Sequence, residues 1–469
     1  MTALATPRAG RRVPGTAAVV AVPGAATLLA LMNYCAPVST LTETAAGLHA
    51  GPTARIWVMS SISLGLAAAL LAAGSLADDH GRRRMFVIGA AALAASSVAC
   101  AAAPNAPVFI AGRIGQGAAS AALLATGLGI IGASFEGPRR AHATGTWGAM
   151  LGLGIALGPI AASLLTAAGG WRLWYWLAAA SSLALGAAAL RALPESRAAH
   201  RRGLDLPGLA TMSLGIAALL AAVTWGRTGW TSPGVLGLLA ASAVLLGSFA
   251  AIESRRREPM LDLGLFRRPA FLLSIAGALV TGLAVIGVMS YLATVLDVAL
   301  GLTPFTASLV LAVWSGLSFL TALQARRLPA RLAAGHLLAA GLLLGALGEL
   351  AMLGLAPGPH WARLIPGLAV AGVGSGLANA MLARLAVESV PADRGSMGSG
   401  ANNTARYTGA ALGVALVGTV ATGSSGGGPG AASTARALTH GTNVALLLSA
   451  IVAFLGAALA VLIRDRRPA

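Results

Sequence analysis

The chain has 469 residues, 57% of them hydrophobic and 10% charged, with a mean hydropathy of +0.80 and a formal net charge of +18. A soluble domain carries about 25% charged residues, so no water-soluble core accounts for this much apolar surface. The positive charge is no nucleic-acid patch: the 32 basic residues, all Arg, are scattered through short polar segments.

Fourteen apolar stretches follow one another almost end to end, each long enough to be a membrane helix. A hydrocarbon core of ~30 Å needs about 20 residues per helix, and lipid offers the backbone no partner outside the helix itself. The spans are expected at 17–41, 56–77, 85–103, 108–135, 144–165, 173–193, 206–225 and 235–252, then at 271–298, 305–323, 332–355, 364–387, 397–419 and 444–463. Arg8, Arg11 and Arg12 precede the first run as in a signal peptide. That run is long and thirteen more follow, so an uncleaved first helix is expected. Cys35 and Cys100 both fall in apolar runs, which fits small buried side chains rather than a disulfide.

With the N-terminus placed inside, 25 arginines lie at inner segments and inner span ends. Five lie outside: Arg55, Arg172, Arg227, Arg363 and Arg436. Arg113 and Arg406 fall within spans. The positive-inside rule therefore puts both termini in the cytoplasm of a multi-pass cell-membrane protein. Trp57, Trp171, Trp174, Trp176, Trp225, Trp230 and Trp361 fall near the expected outer ends, as an aromatic belt does. Trp147 and Trp314 lie deeper and are candidates to face a cavity.

The chain also repeats itself. Span 4 carries Gly115-Gln-Gly117, a loop with Pro138-Arg139-Arg140 and then a Gly-rich span; span 12 carries Gly372-Val-Gly374-Ser-Gly376, a loop with Pro391-Ala-Asp-Arg394 and then another. The expected organisation is an N-terminal tail (1–16), a six-helix half (17–193), a linker (194–204), two inserted helices (205–252), a second linker (253–270), a second six-helix half (271–463) and a C-terminal tail (464–469). Two halves around a midplane cavity suit alternating access. The segment 422–433 is Gly-rich and of low complexity, which reads as a flexible outer loop.

Four constellations carry the functional reading. Between spans 2 and 3 stands Gly74-Ser-Leu-Ala-Asp78-Asp-His-Gly81-Arg82-Arg83-Arg84. Gly74 permits close helix approach, Gly81 a sharp turn, and Asp78 with the arginines a charge-assisted latch. In span 4, Arg113 and Gln116 place a cation and an amide inside the membrane, where charge is costly and lines a cavity or finds a partner. Span 5 carries Gly145, Gly154, Gly158 and Pro159, a packing face ending in a bend. Span 13 opens with Arg394, Asn402 and Arg406.

The span-2/3 loop closely resembles the major facilitator superfamily signature G-x-x-x-D-(R/K)-x-G-(R/K)-(R/K). Gly112-Arg113 through Gly117 resembles that superfamily's R-x-x-x-G motif, which is implicated in proton transfer. Span 5 resembles its antiporter motif, G-x8-G-x3-G-P-x-x-G-G. With fourteen spans, Trp171-Arg172, Asp205, the stretch from Glu258 to Phe266 and the span-13 motif, the chain resembles the 14-spanner drug:proton antiporters, which include antibiotic exporters. The resemblance implies an all-α major-facilitator fold with two six-helix halves and two inserted helices. It further implies efflux of a small hydrophobic compound by proton antiport.

Four positions depart from the family patterns. Asp79 replaces a basic residue, Ala162 and Ser163 replace the last two glycines of the antiporter motif, and Asn33 stands where the first span usually carries Asp. Asn33 cannot titrate, so proton coupling falls to other acids. Glu43, Asp297 and Glu349 lie in or beside spans, and Glu349, within span 11, is the expected carrier. With no carboxylate near the midplane, neutral or anionic apolar compounds are expected over dications, with Arg113 and Arg406 available to an anionic group.

Enzyme chemistry finds no footing. No H-E-x-x-H, C-x-x-C or Walker motif occurs, and a chain without lysine has no P-loop. No cofactor and no metal are expected. The expected partners are the small substrate, protons and membrane lipid, for a chain acting as a monomer. The alternative reading is a facilitative or proton-coupled importer of a small metabolite.

Overall fold

The computed structural model describes residues 16–198, 205–226, 229–325, 327–328, 332–423 and 431–463. The expected tails, most of the first linker and the centre of the Gly-rich 422–433 segment lie outside the described residues. Among those described, the regular structure is helical throughout.

The first expected span is two helices, α1 (Thr16–Cys35) and α2 (Pro37–Gly47), separated at Ala36. The cause is Pro37. It has no N–H to return to the Asn33 carbonyl four residues back, and its ring disfavours helical backbone before it. Five longer helices follow: α3 (Pro52–His80), α4 (Arg82–Ala101), α5 (Ala106–Ser134), α6 (Gly137–Gly169) and α7 (Arg172–Ala192). Asn105 caps α5 by accepting the Val108 N–H at 3.1 Å. The inserted pair is α8 (Leu206–Gly226) and α9 (Pro233–Arg255).

The ninth expected span is interrupted as well. It comprises α10 (Pro269–Val280), a π-helical turn (Thr281–Ile286) and α11 (Gly287–Val298). The remaining helices are α12 (Pro304–Ala325), α13 (Ala334–Ala351), α14 (Leu364–Glu388), α15 (Gly395–Gly423) and α16 (Ala431–Leu462). Thirteen of the described helical spans are long and apolar enough to cross a membrane. The expected thirteenth span, α15, falls short because Ser396, Ser399, Asn402, Asn403, Thr404 and Arg406 crowd its first half. Those side chains are all buried, so α15 is polar toward the protein rather than toward lipid.

Helices α1, α3–α5 and α7 pack chiefly on one another, α10–α16 form a second group, and α6 packs on both. The groups meet where α3 and α5 touch α15 and where α6 touches α12 and α14. Burial separates inner from outer helices: 83% of the central window of α5 is buried against 17% of that of α9. The inserted pair therefore rides on the outside, with α8 resting on α3 and α15. Val244, Leu455 and Leu462 face outward, as lipid requires.

Candidate gate and transport chamber

At the arginine-rich end, α3 runs into α4 through Gly81, whose φ of +115° is accessible only to glycine without strain. The turn places Asp78 and Arg82 one helical turn apart, and Arg82 Nε donates to Asp78 Oδ1 at 2.8 Å. Both side chains are buried. The carboxylate also accepts the backbone N–H groups of Ser396 (3.2 Å) and Met397 (2.8 Å) in the first turn of α15. A carboxylate there meets unpaired N–H groups and the positive end of the helix dipole. Arg82 continues to the Asp393 carbonyl at 2.8 Å and to Ser396 Oγ at 3.2 Å. A Cβ on Gly74 would collide with the Ser396 carbonyl, so glycine there is what lets α3 reach α15.

The departure at Asp79 has a partner in the second group. Arg394 Nη1 donates to Asp79 Oδ1 at 2.7 Å, and both residues are buried. Arg83 instead turns to the segment after α7, where Glu195 accepts its backbone N–H at 3.1 Å. The Arg82 N–H reaches the Ser196 carbonyl (2.9 Å), and the Ala198 N–H reaches that of Asp78 (2.7 Å). The loop is thus stitched to both groups of helices.

Deeper in the first group, Arg113 is fully buried on α5. Its Nη1 donates to the Asn33 carbonyl at 2.7 Å, the acceptor that Pro37 leaves without a helical partner, and to Gln116 Oε1 at 3.0 Å. Gln116 Nε2 passes the chain on to Ser97 Oγ at 2.8 Å. The Asn33 side chain is engaged as well, accepting Trp174 Nε1–H at 3.0 Å. Arg113 therefore mends the break between α1 and α2.

The antiporter-type face of α6 packs against α1. At Gly154 a Cβ would stand 2.6 Å from Leu31 Cβ, and at Gly158 it would stand 2.8 Å from the Met32 carbonyl oxygen. Pro159 frees its neighbourhood for a cross-helix bond, and its own carbonyl accepts from Ser39 Oγ at 2.7 Å. Gly145 is buried one turn before Gly148. Gly148 and Gly152, which no sequence motif singles out, sit against Asn379 of α14 and Ser315 and Phe319 of α12. One helix thus fits closely to both groups.

Between the groups lies a chamber of ≈ 90 Å³, walled by α1, α6, the π turn, α11, α12, α14 and α15. Its aromatic lining is Tyr34, Trp314 and Tyr407, with Tyr34 and Tyr407 tilted at 5.6 Å between ring centroids. Trp314 Nε1 is held by Ser375 Oγ at 2.9 Å. Arg406 lines the chamber, donates to Asn379 Oδ1 at 3.0 Å and is buried. A second cavity of ≈ 360 Å³ adjoins it and shares Tyr34, Cys35, Val38, Ser290, Ala293 and Ser308. It leads away from the Asp78 lock to Arg55 at the start of α3 and Asp297 at the end of α11, and α8 contributes Leu220, Val223 and Thr224 to its wall. Such a volume lies within the usual range for drug-sized ligands, about 300–1,000 Å³.

The structure thus brings together Asp78, Arg82, Asp79 and Arg394 at the lock, and Asn33, Arg113 and Gln116 at the α1 break. Two of the expected site residues line neither cavity. Glu349 lies in neither cavity: α13 packs behind α14 and against α16, so its buried carboxylate faces other helices. Arg113 does not line the chamber either; its Nη groups donate to the Asn33 and Tyr34 carbonyls and to Gln116. Asn402 holds Ser274 of α10 through two bonds of 2.9 Å, a packing contact. Trp314 faces the chamber as expected, whereas Trp147 is buried outside its lining. The π turn was not legible in the sequence; within it Gly282 lets the backbone of α15 approach at Arg406 and Ala410, whereas Gly277 packs toward α13 and α14.

Three comparisons set this arrangement among known proteins. A family model described as Major Facilitator Superfamily matches residues 24–414. The chain is 33% identical over 377 residues to a protein described as a probable actinorhodin transporter of Streptomyces coelicolor, covering 78% of this chain and 65% of that protein. It is 31% identical over 460 residues to the puromycin resistance protein of Streptomyces alboniger, covering 94% of this chain and 90% of the relative. In fold it resembles the proton:xylose symporter XylE, with a TM-score of 0.69 at 14% identity, covering 94% of each chain.

Proposed function

The chain belongs to the Major Facilitator Superfamily, and from that premise we propose that it is a secondary active exporter of small hydrophobic compounds, coupled to proton antiport. The observation that carries the reading is the pairing of a lock at one end with a cavity at the other. Asp78, Arg82, Asp79 and Arg394 join the two helix groups at the arginine-rich end, and the cavity widens toward the opposite end. That is one of the two states alternating access requires. The positive-inside rule places the lock in the cytoplasm together with both termini, so this state is open outward. The relatives named for puromycin resistance and actinorhodin transport support an antibiotic-like substrate and the outward direction. The chain works as a monomer and performs no covalent chemistry.

Asn33 removes the acid from the first span, and Glu349 lies off the path. Asp297 is the one carboxylate among the described lining of either cavity, so it is the proton-binding group in this reading. Asp297→Asn is expected to abolish accumulation driven by a pH gradient while leaving substrate exchange; unaltered gradient-driven transport would remove Asp297 from the mechanism.

The direct test is a susceptibility panel, puromycin included, in an efflux-deficient bacterium producing the protein or its Asp78→Asn variant. Resistance to a few related compounds, lost in the variant, supports export. Asn33, which cannot titrate where the resemblance implies Asp, favours a second reading, a facilitative importer. Reduced uptake of a nutrient on loss of the gene, with no resistance shift, would replace the export reading by that one.

A further inference from the structure

The chamber holds one charged side chain and no counterion. Arg406 enters it from α15 about two helical turns beyond Ser399, and none of the described residues lining the chamber is acidic. Arg406 donates to the neutral Asn379, which in turn reaches Ser318 Oγ at 3.4 Å. Arg406 Nε is buried without a hydrogen-bond partner among the described residues, and no described carboxylate pairs with the guanidinium. A guanidinium away from water is stable only when paired, and its planar fork matches a carboxylate or enolate best. Arg113, the other intramembrane arginine, also keeps a buried Nε without a partner among the described residues, but it lines neither cavity and both of its Nη groups donate, to the Asn33 and Tyr34 carbonyls at the α1 break and to Gln116.

Resting on the export reading above, we propose that the compound carried is an aromatic organic anion. Its anionic group seats on Arg406, and its rings lie against Tyr34, Tyr407 and Trp314. The ≈ 90 Å³ chamber takes the charged ring, and the ≈ 360 Å³ cavity beyond it takes the rest of a drug-sized molecule. The arrangement selects against cations twice. They meet Arg406 with like charge, and they find no carboxylate in the chamber to replace their hydration.

The test uses three ring-matched fluorescent probes, 9-anthracenecarboxylate, 9-anthracenemethanol and 9-(aminomethyl)anthracene, titrated onto the full-length protein in lipid nanodiscs, with protein-free nanodiscs as background. The carboxylate is expected to bind at least about tenfold more tightly than the alcohol or the amine, the size of one charge-assisted bond. Arg406→Gln is expected to erase that preference, and Arg406→Lys to keep part of it. Equal or tighter binding of the alcohol or amine by the unaltered protein overturns the inference, as does no saturable carboxylate binding at all. Survival of the preference in a folded Arg406→Gln protein overturns it too. Efflux of the same probes from cells separates the two claims. If the alcohol or amine is expelled while purified protein shows no carboxylate preference, export stands and the anion assignment falls. If the carboxylate binds preferentially yet cells retain all three probes, the export reading falls.

Discussion

Asp78 serves both as the counter-charge of Arg82 and as the cap of α15, so its loss removes two kinds of contact at once. Asp78→Asn leaves Arg82 buried without its anion, which costs about 3–5 kcal/mol. The variant is expected to insert normally and to lose nearly all transport, measured as substrate flux in vesicles; flux equal to the unaltered protein would reduce the loop to a topology signal. The Asp78–Arg82 pair was legible because the two opposite charges stand only four residues apart across the Gly81 turn. The role of Asp79 was not, since its partner Arg394 lies 315 residues away. A charge exchange tests it: Asp79→Arg and Arg394→Asp singly should each weaken closure of the arginine-rich end, read as increased labelling of a cysteine placed there, and the double variant should restore it. Additive damage in the double variant would show that the pair does not couple.

At the scale of the element, the break between α1 and α2 explains both Pro37 and Arg113. The apolar run read as one continuous span because hydrophobicity registers length and not the missing proline donor; the compensating donor comes from α5, which only the fold reveals. Pro37→Ala restores an N–H for the Asn33 carbonyl and lets α1 and α2 join into one continuous helix. Thermal stability is expected to hold or rise while transport falls about tenfold, since Arg113 loses its acceptor. A fall in Tm with transport intact would contradict this account. The glycine face of α6 was legible from its spacing, but the use of Gly148 and Gly152 on the opposite side was not, because small residues on both sides of a helix look alike in sequence. Gly158→Leu has no room beside Met32 and is expected to destabilise by about 1–3 kcal/mol or more and to stop transport.

For the whole molecule, the asymmetry of arginines, the lock at one end and the cavity at the other form a single argument. The internal repeat and the hydropathy made the helix order legible, and the polar first half of α15 was legible as a motif. Which polar groups reach the chamber was not, because membrane depth alone does not say which way a helix face turns. For that reason Glu349 stood out in sequence and packs behind α14, while Asp297, ranked behind it, lines the cavity. The central claim is gradient-driven export through this chamber. The measurement that tests it most directly is substrate accumulation in inside-out membrane vesicles under an imposed inside-acid pH gradient, comparing the unaltered protein, Asp78→Asn and vesicles without it. The account predicts accumulation by the unaltered protein alone, abolished by a protonophore. Accumulation no greater than in vesicles without the protein, for every compound to which it confers resistance, would contradict it.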